Sequence, residues 1–329
     1  MFIAQAFKAK HEFWRYLIGS LILIVVSTIG QFPLMGAIIY KKFKEGASLD
    51  GIDENSIYST LDSNLTLFLI LLSFVVAFGG LILIVKYLHK QTMTSVATSR
   101  PKLDWKRIWF AFVFWGIISV GLVLIDYFFL TPESYLYNFE MKRFIILAVI
   151  AIALVPIQTS LEEYVFRGYL MQGFGMLAKN RWFPLLMTSV IFGVLHIFNP
   201  EVDKLGYGIM VYYIGTGLFL GIITLMDEGT ELALGFHAAN NLFTALLVTA
   251  DWTAFQTHSI LKDVSDPELG FIDLIVPVFI IFPILVVIFS RVYKWKNWKD
   301  KLFGPVHEPP SDDYKIIGEE HINYDTDLR

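Results

Sequence analysis

Residues 159–168 read TSLEEYVFRG and directly follow an uncharged, strongly apolar run. A charged side chain inside a bilayer costs about 2.5–3.5 kcal/mol on insertion scales, so a membrane helix that carries one has a partner or a task for it. Glu163 and Arg167 stand at i,i+4 on a helix and can pair. Glu162 lies about 100° round the helix from Glu163, so the two carboxylates cannot share the arginine equally. We therefore predict that one acid is structural and that the other faces a cavity.

Composition and apolar runs set the fold class. The chain has 329 residues, of which 55% are hydrophobic and 17% charged. A helix that spans a bilayer takes about 17–25 apolar residues. Eight uncharged runs are near or within that length, at residues 16–40, 65–85, 108–125, 144–159, 182–198, 207–226, 232–250 and 274–290. This pattern predicts an all-α, polytopic integral membrane protein with about eight transmembrane helices.

Charge predicts orientation and narrows the partners. If successive connections alternate in side, 19 of the 26 lysines and arginines fall on the side of both termini. Positive residues favour the cytoplasm, so we predict that both termini are cytoplasmic. The net charge of −4 argues against nucleic acid as a partner, and without cysteines there are no disulfides or thiolate metal ligands. The lipid bilayer is the partner that this composition leads us to expect.

The chain divides into four predicted segments. Residues 1–143 hold three transmembrane helices, 144–250 form the compact catalytic core, 251–293 hold the last helix and its loop, and 294–329 form a mobile cytoplasmic tail. The basic connection at 86–107 is expected to meet anionic head groups, and tryptophans 105, 109 and 115 to anchor helix ends. Histidines 11, 89, 258, 307 and 321 have no partner at a motif spacing, and we expect them to be solvated.

Chemistry-bearing side chains are concentrated in residues 144–250. His196 ends one apolar run, and His237 and Asn241 share a helical face in another. A glutamate can take a proton from water, a neutral histidine can orient that water, and a histidine with an asparagine can donate to an oxyanion. Two histidines and a carboxylate also supply the ligands of a catalytic zinc. The same residues could instead join helices or form a proton or ion relay.

Three motifs, each in or beside an apolar run, carry a resemblance to a known family. They are EExxxR at 162–167, FxxxH at 192–196 and HxxxN at 237–241. In this order they resemble the motifs of the CPBP family, the CAAX-processing and bacteriocin-processing intramembrane endopeptidases. The resemblance covers about residues 144–250.

The resemblance implies a role for each motif residue. Glu162 would be the catalytic base, His196 would help to hold the water, and His237 and Asn241 would stabilise the oxyanion. The supporting residues would be Glu163 and Arg167, which orient the site or substrate, and Phe192, which packs under His196.

The resemblance leaves the use of a metal open. One divalent metal such as zinc would bind to Glu162, His196 and His237, and a metal-free route driven by the glutamate is equally open. The implied activity is hydrolysis of a peptide bond of a membrane-associated protein or peptide near the cytoplasmic face, in a prokaryotic cytoplasmic membrane. The alternative is a non-catalytic membrane binding or immunity protein on the same scaffold.

Helix geometry raises one difficulty for this site. At 1.5 Å per residue, His196 lies about 18 Å along its helix from Pro184. His237 lies only about 8 Å along from Leu232, which starts on the same side. Straight, perpendicular helices would therefore keep the two histidines apart.

Overall fold

The computed structural model describes residues 1–47, 54–266, 270 and 275–309 as a bundle of helices. Among these residues, five helices are long and apolar enough to cross a membrane, and two shorter apolar helices accompany them. The long ones are Phe13–Lys44, Ser63–Leu88, Trp105–Leu130, Met141–Ala178 and Tyr207–Asp227, and the short ones are Trp182–Phe198 and Val276–Val292. The predicted all-α membrane architecture is confirmed.

The described elements are mostly helical. The α-helices are α1 (Phe13–Gly30), α2 (Phe32–Lys44), α3 (Glu54–Thr60), α4 (Ser63–Leu83), α5 (Met93–Ala97), α6 (Trp105–Ile125), α7 (Met141–Glu163), α8 (Met171–Ala178), α9 (Trp182–Leu195), α10 (Pro200–Leu205), α11 (Met210–Asp227), α12 (Glu231–Leu247), α13 (Phe282–Val292) and α14 (Trp298–Phe303). The π-helical segments are Ile84–Leu88, Asp126–Leu130, Tyr164–Leu170 and Val276–Ile281. The 3-10 turns are Ile3–Lys8, Pro132–Ser134, His196–Phe198 and Tyr207–Ile209. The strands are β1 (Tyr135–Tyr137), β2 (Val248–Thr249) and β3 (Leu261–Asp263).

Close helix contacts place the site inside the bundle. Helix α6 packs along α12, α9 along α11, and α4 along α7. A Cβ on Gly235 would lie 2.1 Å from the carbonyl oxygen of Ile108, and one on Gly217 would lie 2.8 Å from that of Ser189. Glycine thus lets backbones approach closely in the membrane, as small residues commonly do. Helices α6, α9, α11 and α12 are held together by these approaches.

Connections of the same predicted side meet at the same end of the bundle. The backbone N–H of Phe2 donates to the Glu228 carboxylate, and that of Ser99 donates to the Glu228 carbonyl at 3.0 Å. An isolated bridge joins Asn180 to Pro305 at this end. At the other end, β3 pairs antiparallel with β1 and parallel with β2. The N-terminus and the described part of the tail therefore share one end of the bundle.

The described part of the predicted tail is packed rather than mobile. Trp295 donates its indole N–H to Asp227 at 3.0 Å, Lys301 donates to the carbonyl of Met226 at 2.7 Å, and Val306 is buried. The polar composition predicted a mobile tail, but these contacts hold its described part against the end of α11. Residues 310–329, including His321, lie outside the described residues.

Two expectations for the basic connection and its neighbours were wrong. His89 is fully buried, with Nδ1 2.8 Å from the carbonyl of Lys10 and Nε2 2.9 Å from the hydroxyl of Tyr169. Arg100 does not reach outward to head groups. It contacts the buried carboxylates of Asp227 and Glu231 at 3.0 Å each. Long-range partners, which sequence spacing does not reveal, account for both differences.

Arg107 and Trp115 depart from their predicted places in the same way. Arg107 pairs with the Asp227 carboxylate, and its guanidinium lies 4.1 Å from the ring centre of Tyr293. Trp115 is buried, whereas Trp105 and Trp109 are exposed on α6 as interfacial anchors would be. The α6–α12 contact encloses Trp115, so its indole N–H needs a partner inside the protein.

Candidate active site

The EExxxR motif spans the junction of α7 and a π-helical segment. Glu162 and Glu163 are the last residues of α7, and Arg167 lies in the middle of the π-helical segment Tyr164–Leu170. π-Helical turns are rare and occur frequently at functional sites. The π-helical turn begins directly after the two glutamates. The helix therefore changes from α to π geometry next to the two carboxylates, which point in different directions.

Glu163 forms a buried ion pair and also holds His237. Its Oε1 lies 2.9 Å from Arg167 Nη1 and 2.7 Å from His237 Nδ1, and neither Glu163 nor Arg167 is exposed. An ionised carboxylate only accepts hydrogen bonds, so Nδ1 of His237 is the donor. His237 therefore presents Nε2 to the opposite side, towards Glu162. Arg167 also lies over the ring of Phe192, 4.2 Å from its centre.

Glu162 points away from the ion pair and lies beside His237. Its Oε1 accepts from the side-chain amide of Gln158. Its Oε2 is buried and has no hydrogen-bond partner within the part of the chain that the structure describes. The distance from Oε2 to His237 Nε2 is 3.7 Å, which is too long for a direct hydrogen bond but suits a bridging water. The two glutamates thus have different partners, and the division between a structural and a cavity-facing acid stays a prediction.

Phe192 brings the two histidines to one site. Its ring centre lies 4.6 Å from that of His196 and 6.2 Å from that of His237. His196 follows the end of α9 and turns back, with Nδ1 2.7 Å from the carbonyl of Phe192, so Nδ1 donates and Nε2 stays open. The ring of Tyr213 stacks on His196 at 4.4 Å. Through these contacts of Phe192, the two histidines lie near each other, although straight helices would have kept them at different depths.

Asn241 lies one helical turn after His237 and contacts a residue that sequence reasoning left without a role. Its Nδ2 donates to Gln158 Oε1 at 3.2 Å, and the same Gln158 donates to Glu162. Gln158 is the one strongly polar side chain of its apolar run, and this was the available signal. Asn240 was also missed. It accepts from Trp115 Nε1 at 3.1 Å and donates to Asn241 at 3.2 Å.

The suggested metal ligands meet one requirement of a metal site and fail another. Each histidine directs Nδ1 to an oxygen and leaves Nε2 open, which is how metal-binding histidines are usually held. However, no group of three His, Asp or Glu side chains among the described residues converges closely enough to hold an ion. Glu162, His196 and His237 therefore do not form a ligand shell in this conformation.

Comparison with known proteins gives three results. The family described as type II CAAX prenyl endopeptidase Rce1-like matches residues 141–243, which include all three motifs. The chain is 33% identical over 243 residues to the uncharacterized protein YyaK of Bacillus subtilis (strain 168), an alignment that covers 74% of this chain and 80% of the relative. No solved structure matches the chain.

Proposed function

This integral membrane protein belongs to the CPBP family, which includes the Rce1-like endopeptidases, and on that premise we propose that it hydrolyses a peptide bond of a membrane-associated protein or peptide. One observation carries the proposal. The Oε2 atom of Glu162 is buried, has no partner among the described residues, and faces His237 Nε2 across 3.7 Å. A buried carboxylate oxygen with no partner is costly, so a native structure keeps it for a task.

The gap suits the activation of a water molecule. Glu162 Oε2 takes a proton from the water, and the open Nε2 of His196 accepts a hydrogen bond from it and fixes its direction. The water oxygen bonds to the carbonyl carbon of the substrate, and the carbonyl oxygen becomes an oxyanion. Asn241 and His237 supply donors to that oxyanion. The C–N bond then breaks, and the protonated Glu162 gives its proton to the leaving amine.

Glu163 and Arg167 act through His237. His237 donates to the oxyanion only when Nε2 carries a proton, and the Glu163 carboxylate at Nδ1 is the counter-charge of that doubly protonated form. Arg167 holds the same carboxylate in place from the other side. Phe192 lies beneath both imidazoles and keeps them at a fixed spacing. These three residues position the site.

A single substitution tests the activity. Glu162→Gln keeps the shape and volume of the side chain and removes its ability to accept a proton. Membrane proteomes of cells that produce equal amounts of wild-type and Glu162→Gln protein are compared for new peptide termini. We expect cleaved products in cells with the wild-type protein and none in cells with Glu162→Gln. The products should also be absent with His196→Ala and with His237→Ala. If all three variants fold and the cells show no difference in any function, the protein is a non-catalytic binding or immunity protein.

Two further parts of the proposal have their own tests. We place both termini in the cytoplasm of a prokaryotic cell and the site near the cytoplasmic face, because the lysines and arginines are concentrated on that side. A reporter that works only outside the cytoplasm should be inactive when it is fused to the C-terminus, and activity of this fusion would overturn the orientation. Stoichiometric zinc in the purified protein, whose removal abolishes cleavage, would show that the hydrolysis uses a metal.

A further inference from the structure

A continuous chain of hydrogen bonds links the interior of α6 to the proposed catalytic base. Trp115 Nε1 lies 3.1 Å from Asn240 Oδ1, and Asn240 Nδ2 lies 3.2 Å from Asn241 Oδ1. Asn241 Nδ2 lies 3.2 Å from Gln158 Oε1, and Gln158 Nε2 donates to Glu162 Oε1. We call these five residues the amide relay. It crosses three helices, α6, α12 and α7.

The chemistry of its two ends gives the amide relay a single direction. An indole N–H can only donate, and an ionised carboxylate can only accept. Trp115 therefore requires an oxygen from Asn240, whose NH₂ group then turns to Asn241. The same step repeats at Gln158, whose NH₂ group must meet the carboxylate. Reversing any one amide would place two donors or two acceptors face to face, so the ends determine the orientation of all three amides.

The relay has a consequence for the two oxygens of Glu162. Oε1 is occupied by Gln158, so a proton from water can go only to Oε2, which faces the gap and His237. Asn241 is fixed at the same time, because one N–H of its NH₂ group is held by Gln158 and the other is left for the oxyanion. Base and oxyanion donor are thus aligned by one shared residue.

We propose that Gln158, Asn240 and Trp115 are positioning residues that orient the Glu162 carboxylate and the Asn241 amide for hydrolysis. This inference rests on the proposed function. Polar contacts between membrane helices can also simply hold a bundle together. A purely structural role would change stability and leave the chemical step of the folded protein unaltered, which separates the two possibilities.

The kinetic test uses Gln158→Met, which keeps the volume and removes both hydrogen bonds. The matched control is Gln172→Met, at a fully buried glutamine whose amide donates to the carbonyl of Ser95 at 2.8 Å, outside the relay. We expect Gln158→Met to lower kcat about ten- to a hundredfold on the substrate found by the proteome comparison, with KM changed less than about twofold. Gln172→Met should keep the wild-type kcat per folded molecule.

The double variant Trp115→Phe/Gln158→Met probes the relay as a unit. Residues that act together lose activity non-additively, so the double variant should be no slower than Gln158→Met alone. Trp115→Phe by itself should lower kcat while it leaves KM unchanged, and it serves as the second variant if Gln158→Met does not fold. Multiplying losses in the double variant would indicate two separate structural effects and would overturn the proposal.

A spectroscopic arm separates the failure of the relay from the failure of the proposed function. Protein labelled with [¹⁵N]tryptophan carries eight indole groups, and Trp115→Phe identifies the signal of Trp115 by its loss. We expect Gln158→Met to shift this signal and to speed its hydrogen exchange, and Gln172→Met to leave it unchanged. If wild-type protein cleaves but Gln158→Met cleaves equally well, the positioning role alone is wrong. If wild-type protein cleaves nothing, the proposed function fails and the positioning role falls with it, even where the indole signal responds.

Discussion

Removing the Glu163 carboxylate should destabilise the protein more than any other change at the site. Its Oε1 is the shared acceptor for Arg167 and His237, and both Glu163 and Arg167 have no solvent exposure. After Glu163→Ala, the guanidinium stays buried with the Gly217 carbonyl at 3.5 Å and the Phe192 ring as its nearest compensation. Neither carries a full negative charge, so the cation loses its counter-ion.

The magnitude follows from the burial of the pair. Breaking a fully buried ion pair by removing one partner costs about 3–5 kcal/mol, because an uncompensated charge stays inside. Glu162→Gln leaves Glu163 in place as the counter-ion of Arg167, so its cost should be below about 1 kcal/mol. We expect low yield and a clearly lower unfolding temperature for Glu163→Ala. For Glu162→Gln we expect wild-type stability without cleavage.

Thermal unfolding in detergent, run beside the cleavage assay, measures both properties in the same preparation. Glu163→Leu/Arg167→Met is the compensating variant, because apolar residues of similar volume often replace a buried pair without loss. It should regain most of the stability and remain inactive, since Nδ1 of His237 still lacks its acceptor. A stable and fully active Glu163→Ala protein would refute the reasoning, and so would an active Glu162→Gln protein.

Three further predictions concern the rest of the molecule. Burial lowers the pKa of His89 from 6.5 to about 4, so protonation favours the unfolded chain. The free energy of unfolding should therefore be unaffected by His89 above pH 6.5 and should fall between pH 6.5 and pH 4. Unfolding scans should show a steeper fall for the wild type than for His89→Gln. Asp227→Asn should lower the unfolding temperature and make the segment 294–309 sensitive to protease, because Arg100, Arg107 and Trp295 lose their charged partner. The control Asp251→Asn removes one partner of an exposed ion pair and should change neither property. Gly235→Ala should reduce yield and stability, because the added methyl group forces α6 away from α12. The control Gly121→Ala places its methyl group in open space and should change neither. Equal behaviour of the two variants would contradict the close contact between the α6 and α12 backbones.

Sequence reasoning succeeded where the information is local. Apolar runs predicted the membrane helices, and i,i+4 spacing predicted the Glu163–Arg167 contact. It failed where partners are distant in the chain. His89 contacts Tyr169, and Arg100 contacts Asp227, across separations that no periodicity encodes. The break between α1 and α2 was missed for another reason, since Pro33 in the first turn of α2 cannot continue the preceding hydrogen-bond ladder.

The site itself was partly readable for the same reason. The angle between adjacent helical residues already required Glu162 and Glu163 to face different partners. The contact of Glu163 with His237 depends on α7 and α12 meeting at this depth, and the motifs hold no direct record of that. Gln158 was visible as a polar residue in an apolar run, but its two hydrogen bonds come from different helices. Its position between them became clear only from the packed bundle.

The buried Glu163–Arg167 pair is better explained by orientation than by stability. Apolar residues of the same volume would stabilise the bundle as well or better, so the pair is a weak stabilising device. Its Oε1, however, fixes the orientation of His237 and directs Nε2 towards Glu162 Oε2, which has no hydrogen-bond partner among the described residues. From the other side, Gln158 occupies Glu162 Oε1 and directs Asn241. Glu163 thus orients His237 towards the oxyanion, and Gln158 leaves Glu162 Oε2 to take the proton of a single water, which is the division of roles that the hydrolysis requires.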